Sequence, residues 1–286
     1  MKKNCSVRFF LPLLLSATAL IAQEAFQSER LEKLWQTPPV MKTAESALYD
    51  AARKVIYVSN MAGTTGAKTG QGFIAKLSAT GEVLALPWVT GLNEPKGLGL
   101  FGNRLYATGV DEIAEIDIDR GVVTQRYPVE KAKDLNDLAV ASDGTVYASD
   151  TKGRFIFMLK DGKTSVFLES DDIARCNGLF VDGDRLLVGG AKSRLAAIDR
   201  TTKAITVLFE KTGYIDGLWA LGNGKFLTSD WRGLVQLLET GKPPVKLLDT
   251  TPVKMNAADL SWIPEEKIIL VPTFADNRVF AYRLRD

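Results

Sequence analysis

Histidine is absent from all 286 residues. That absence removes serine–histidine–aspartate and cysteine–histidine nucleophilic sites, the HExxH zinc pattern and any imidazole general base. Acid–base chemistry is left to carboxylates, lysine, tyrosine or a metal-activated water. Cysteine is almost absent too. Cys5 and Cys176 are the only two, too few for a cysteine-rich zinc site or a disulfide framework. Net charge is small, +2 over the chain. Lys2, Lys3 and Arg8 fall in the first 22 residues, where there is no acid, and beyond them 33 bases face 34 acids. A chain so balanced has no electrostatic reason to bind nucleic acid or an anionic membrane. Convincing helical periodicity is missing as well. A run around Ser28 to Leu34 is the one candidate, and its later part reads better as a strand.

Long hydrophobic runs are lacking, with one exception at the start. Phe9 to Ala22 is apolar for 14 residues, broken by Pro12, and is too short to span a bilayer. Preceded by basic residues and ending in small ones, residues 1–22 read as a cleaved secretory signal with a cleavage point after Ala22. The expected location is periplasmic or secreted, with no membrane span after cleavage. Cys5 lies too early for a lipoprotein cysteine. Only Cys176 then remains, so no intrachain disulfide is available. Residues 23–286 form one domain, with residues 23 to about 29 expected as a short flexible lead-in.

What the chain has in abundance is strand and turn. Alternating runs such as TVYAS, RFIFML, RLLVGG, KFLTS and RVFAYRL are rich in β-branched and aromatic residues, with Gly, Asn and Asp between them. One unit recurs six times. PKGLGL, LNDLAV, CNGLFV, IDGLWA and AADLSW begin at Pro95, Leu135, Cys176, Ile215 and Ala257, and a degenerate first copy, AESALY, begins at Ala44. The second residues of these copies are Glu45, Lys96, Asn136, Asn177, Asp216 and Ala258, separated by 51, 40, 41, 39 and 42 residues. The long first step holds the insertion GTTGAKTGQG, residues 63–72, read as a flexible hairpin overhanging the channel mouth. A period near 40 with four short strands per unit is a propeller-blade period. The fold expected is all-β, a six-bladed β-propeller of four-stranded blades. The last copy runs out before a fourth strand, and RLEKLWQT, residues 30–37, is expected to supply it, closing the ring and covering an open edge.

Gly97, Gly178 and Gly217 fit the crowded turn near the axis. The residue just before each turn varies from blade to blade and is mostly polar. Six such side chains aim at one point at the mouth of the central channel. Glu45, Asn177 and Asp216 are all oxygen donors. Two carboxylates and an amide suit a hard divalent ion such as Ca²⁺. The bland alternative is that Asn and Asp merely hydrate the channel or cap turns. Three donors at equivalent repeat positions favour the metal.

These residues carry a resemblance. Glu45 opening the first blade, AsnAsp at 136–137, AsnGly at 177–178 and AspGly at 216–217 are similar, in order and spacing, to the senescence marker protein / gluconolactonase / luciferin-regenerating enzyme family of six-bladed propellers, over about residues 40–284. The resemblance implies one catalytic divalent cation held by Glu45, Asn177 and Asp216, with Ca²⁺ the first choice and Mg²⁺, Mn²⁺ or Zn²⁺ as alternatives. It implies that Asn136 contacts substrate, and that the activity is opening of a lactone or similar ester. The partner expected is a small molecule, a lactone or sugar acid lactone. Asp216 is the candidate shared ligand and base, and Asn136 the residue orienting substrate. Lys96, which matches no family ligand, either pairs with a carboxylate or meets an anionic substrate. The chain departs from the family where Glu-Gly-Pro-x-Trp is usual: it reads GluSerAlaLeuTyr, 45–49. The second reading, from another class, is a non-catalytic propeller binding a small molecule or protein.

Other motifs carry less. GLGLFG, residues 97–102, matches a dinucleotide loop but precedes a strand where a helix is needed. Asp150 and Asp230 end second strands and read as turn acceptors. Cys176 reads as a small buried filler.

Overall fold

The computed structural model describes residues 24–286; the expected signal segment, 1–22, lies outside the described residues. Six antiparallel sheets follow one another along the chain. Blades 1 to 5 each take four consecutive strands, within residues 44–92, 98–128, 135–169, 179–210 and 215–249. Blade 6 takes Ser261–Ile263, Ile268–Pro272 and Val279–Leu284, and its outer strand is Leu31–Gln36 from the other end of the chain. Leu31 pairs with Leu284 and Gln36 with Phe280, so the ring is clasped where the repeats predicted. Of the lead-in expected over residues 23–29, the described part, 24–29, is not loose throughout. Phe26–Gln27 adds a fifth strand to blade 5, against Leu248 and Asp249. The unpaired edge of that blade offers ready backbone donors and acceptors, which an approaching extended segment satisfies.

Burial explains the strand sequences. Second strands such as Val55–Asn60 and Val146–Asp150 are buried along their whole length, because both of their faces meet another blade. Outer strands such as Val122–Pro128 are half-solvated. The core is divided into six apolar clusters, each packed between two neighbouring blades: Tyr57 with Leu105, Tyr106 with Phe157, Leu186 with Tyr147, Leu218 with Leu187, Val271 with Leu237, Ile56 with Leu270.

Around the axis, the innermost strands approach one another backbone to backbone. A Cβ on Gly97 would lie 2.6 Å from the Cα of Asp137, and one on Gly178 would lie 2.5 Å from the Asp216 carbonyl oxygen. Glycine is therefore required there by contact with the next blade. The GLGLFG stretch contributes Leu98–Phe101 to the innermost strand of blade 2, followed by the strand Arg104–Thr108, so it forms no dinucleotide loop.

Candidate metal and substrate site

The register of three innermost strands shifts at the same place: between Ala44 and Ala47, Leu135 and Leu138, and Ile215 and Leu218. These irregularities take Glu45, Asn136 and Asp216 out of the ladder, so their side chains are free to face the axis. The backbone N–H that follows each would lose its partner. A serine on the second strand captures it instead: Ser46 N–H to Ser59 Oγ at 2.9 Å, Asp137 N–H to Ser149 Oγ at 3.0 Å, Gly217 N–H to Ser229 Oγ at 2.8 Å. The residue after each serine acts as a turn acceptor. Asp150 receives Lys133 and Asp134 N–H, and Asp230 receives Arg232 N–H and its guanidinium.

At the mouth lies a cavity of about 440 Å³ whose lining includes Glu45, Lys96, Asn136, Asn177 and Asp216, so the ring topology brings all five sequence-selected residues to one place. Glu45, Asn177 and Asp216 are buried. An Asn177 Nδ2–H donates to Asp216 Oδ1. Each of these three residues then keeps one oxygen buried without a hydrogen bond, Glu45 Oε2, Asn177 Oδ1 and Asp216 Oδ2, and Glu94 Oε1 on the same lining is a fourth. An unpaired buried acceptor carries a desolvation cost of about 1–3 kcal/mol, more for a charged group. Here three of them come from three blades. Among the described residues no three acidic, cysteine or histidine side chains gather as a ligand cluster; the set is two carboxylates and one amide. Its all-oxygen chemistry and its orphaned acceptors fit a hard divalent cation.

Proton affinities record the same crowding. Burial, then the charges of Asp216 and Asp259, push Glu45 well above the usual carboxylate range. Burial, then Asp259, does the same to Asp216. Burial alone raises Asp259 to about 7, against the lowering effect of its bond from Ser46. Asp259 was not anticipated. It lies one residue past the axial position of blade 6, as Asp137 does in blade 3, and that shared offset was the available signal. Asp137 is spent on the backbone, accepting from Leu138 N–H and Leu179 N–H at 2.6 Å each. Asp259 accepts from Ser46 Oγ at 2.5 Å, which gives the serine of GluSerAlaLeuTyr a role that glycine could not fill. Ser46, Asp137 and Asp259 also reach a cavity of about 270 Å³ farther along the same strands.

Lys96 displays the first of its two expected roles. Its Nζ donates to Asp134 Oδ1 at 2.7 Å and to the Leu135 carbonyl at 3.1 Å, with Glu94 at 3.9 Å. The Asn136 backbone is pinned, its carbonyl accepting from Gly97 N–H and Thr108 Oγ1. Its side-chain amide makes no hydrogen bond among the described residues. Residues 63–72 are docked at the mouth: Gly66 N–H donates to Glu94 Oε2, Gly70 N–H to Asn93 Oδ1, and Thr65 lines the cavity. Met61, Arg175, Trp231 and Phe274 also line the wall and had no place in the axial pattern. Cys176 is buried, its thiol pushed up to about 12 by that burial, as suits a filler.

Solved structures resemble this chain over about nine-tenths of its length. A gluconolactonase from Xanthomonas campestris superimposes with a TM-score of 0.67 at 16% identity, covering 89% of each chain. A structural-genomics target with a provisional gluconolactonase assignment gives 0.65 at 18%, covering 88% of this chain and 91% of its own. The likeness is one of fold. A catalytically inactive variant of virginiamycin B lyase from Staphylococcus aureus, solved with quinupristin, gives 0.62 at 12%, over 91% of this chain and all of its own. Blades thus carry more than one chemistry, and function must be argued from the site. No protein-family model and no curated protein sequence matches the chain. Among the described residues no helix is long and apolar enough to cross a membrane.

Proposed function

We propose that the protein is an exported, divalent-metal-dependent hydrolase that opens a lactone or similar ester. The observation that carries this reading is the set of three orphaned oxygens, Glu45 Oε2, Asn177 Oδ1 and Asp216 Oδ2, on one cavity floor. Those three residues would hold the cation. Bound there, it supplies a Lewis acid that polarises a carbonyl and stabilises the developing oxyanion. The Asn136 side-chain N–H donates to the substrate and orients it. Asn177 fixes Oδ1 of Asp216, and the Asp216 carboxylate, shared between cation and water, would take a proton from the attacking water. Water oxygen bonds to the carbonyl carbon, the ring C–O bond breaks, and Asp216 returns the proton to the leaving oxygen, giving a hydroxy acid. Lys96 holds the cavity wall through Asp134. The basic and apolar character of residues 1–22 supports export.

Two readouts test the proposal. With residues 23–286, excess Ca²⁺ should raise Tm relative to chelator by roughly 5–10 °C, the effect of about 2.7 kcal/mol at a ligand concentration one hundred times Kd. Asn177→Ala should lose that rise. Asp216→Ala should lose both the rise and the chelator-sensitive hydrolysis of a panel of lactones and aryl esters. Hydrolysis that survives in Asp216→Ala would remove the proposed mechanism. No shift with Ca²⁺, Mg²⁺, Mn²⁺ or Zn²⁺ would remove the metal.

A further inference from the structure

Many polar groups on the cavity wall are engaged with one another, the Asn136 amide and Glu94 Oε1 excepted. Lys96 is held by Asp134, and Asp230 by Arg232 and backbone N–H groups. Glu94 Oε2 accepts from Gly66, and the Thr151 hydroxyl donates to the Asp134 carbonyl. The apolar groups are not so occupied. Met61, Trp231 and Phe274 follow the ends of the second strands in blades 1, 5 and 6, which are consecutive around the ring, and all three line the wall. Trp231 and Phe274 meet edge to face with centroids 5.4 Å apart, and Trp231 still leaves 43% of its surface exposed. Phe274 is kept at φ +47°, a conformation rare for a bulky side chain and frequent at ligand sites. Its N–H bond to the Ala44 carbonyl at 2.9 Å ties it to the residue beside Glu45.

A sugar lactone presents several hydroxyls, each of which needs a donor or acceptor in the wall. Unpaired hydroxyls against Met, Trp and Phe lose their water without replacement. An alkyl chain or ring gains by the same contact. We infer that the substrates are lactones or esters bearing an apolar chain or ring, seated on the Met61–Trp231–Phe274 wall with the carbonyl over the Glu45–Asn177–Asp216 floor. This rests on the hydrolase reading above for its chemistry, although not for its binding.

The test is calorimetric titration and hydrolysis, with Ca²⁺ present, of γ-hexalactone, γ-nonalactone and D-glucono-1,5-lactone, using wild type, Trp231→Ala and Trp231→Phe. Affinity and kcat/KM should rise about fourfold per added methylene over the first few carbons. That dependence should flatten in Trp231→Ala and persist in Trp231→Phe. Glucono-1,5-lactone should bind weakest. Chain-length-dependent binding, lost in Trp231→Ala, without hydrolysis would retain the wall and overturn the hydrolase. Hydrolysis that favours glucono-1,5-lactone, or a chain-length dependence untouched by Trp231→Ala, would overturn the wall and retain the hydrolase. Absence of binding by all three lactones would overturn both.

Discussion

Gly97 shows how tightly single residues are held at the axis. Its missing side chain is the space occupied by the Asp137 and Leu138 backbone of the next blade, and main chain cannot rotate away as a side-chain tip can. Gly97→Ala should therefore cost about 3 kcal/mol, the upper range for overpacking, and lower Tm by roughly 5–10 °C. Thermal melting checks this, and a variant within 2 °C of wild type, about the effect of an ordinary surface change, would contradict the contact. The same scale separates what was legible from what was not. Glu45, Asn177 and Asp216 stood out because a repeat makes the variable position visible against constant neighbours. Asp259, Trp231 and Phe274 sit in the same repeat, but at offsets where strand geometry decides whether a side chain reaches the axis or the rim.

Among the elements, the strand Leu31–Gln36 does the most for closure. It hydrogen-bonds along Val279–Leu284 and buries Leu31 in the cluster between blades 5 and 6. Phe26–Gln27 adds two exposed residues to the edge of blade 5. Two truncations should behave differently. Starting at residue 30 should change Tm little. Starting at residue 38 opens the edge of blade 6 and removes buried leucine surface, a loss of roughly 2–5 kcal/mol for the leucine alone, and should give aggregation or a non-cooperative melt. Soluble yield and melting curves distinguish them, and equal behaviour would deny the clasp. The clasp itself was readable, because five complete copies and one incomplete copy leave one strand to be found. The pairing at Phe26–Gln27 was not readable, since two residues carry no periodicity.

For the whole molecule, the decisive feature is that four of the six blades deliver acids to one axis. Glu45, Asp137, Asp216 and Asp259 all have raised proton affinity, each first through burial. Without a cation, the folded state holds protons that the unfolded chain has released above about pH 4. Protons bound to the folded state in excess make stability fall as pH rises. The metal-free protein should therefore lose Tm between about pH 4 and the value near 7 reached by Asp259. A divalent cation binds the ionised form, so its stabilisation should grow over the same interval. Melting in chelator and in Ca²⁺ at pH 5 and pH 7.5 measures both; a chelator Tm that climbs with pH would contradict the carboxylate cluster.

The sequence by itself determined the period, the number of blades, the clasp and the three axial oxygen donors, because each is a local pattern repeated at fixed spacing. The tertiary structure decided which polar groups are left over. Lys96 is neutralised by a residue 38 positions away, Asp259 is latched by Ser46 from the opposite end of the chain, and an apolar wall assembles from three blades. Those outcomes depend on closing the ring, which places side chains distant in sequence within bonding reach and removes the water that would otherwise separate them.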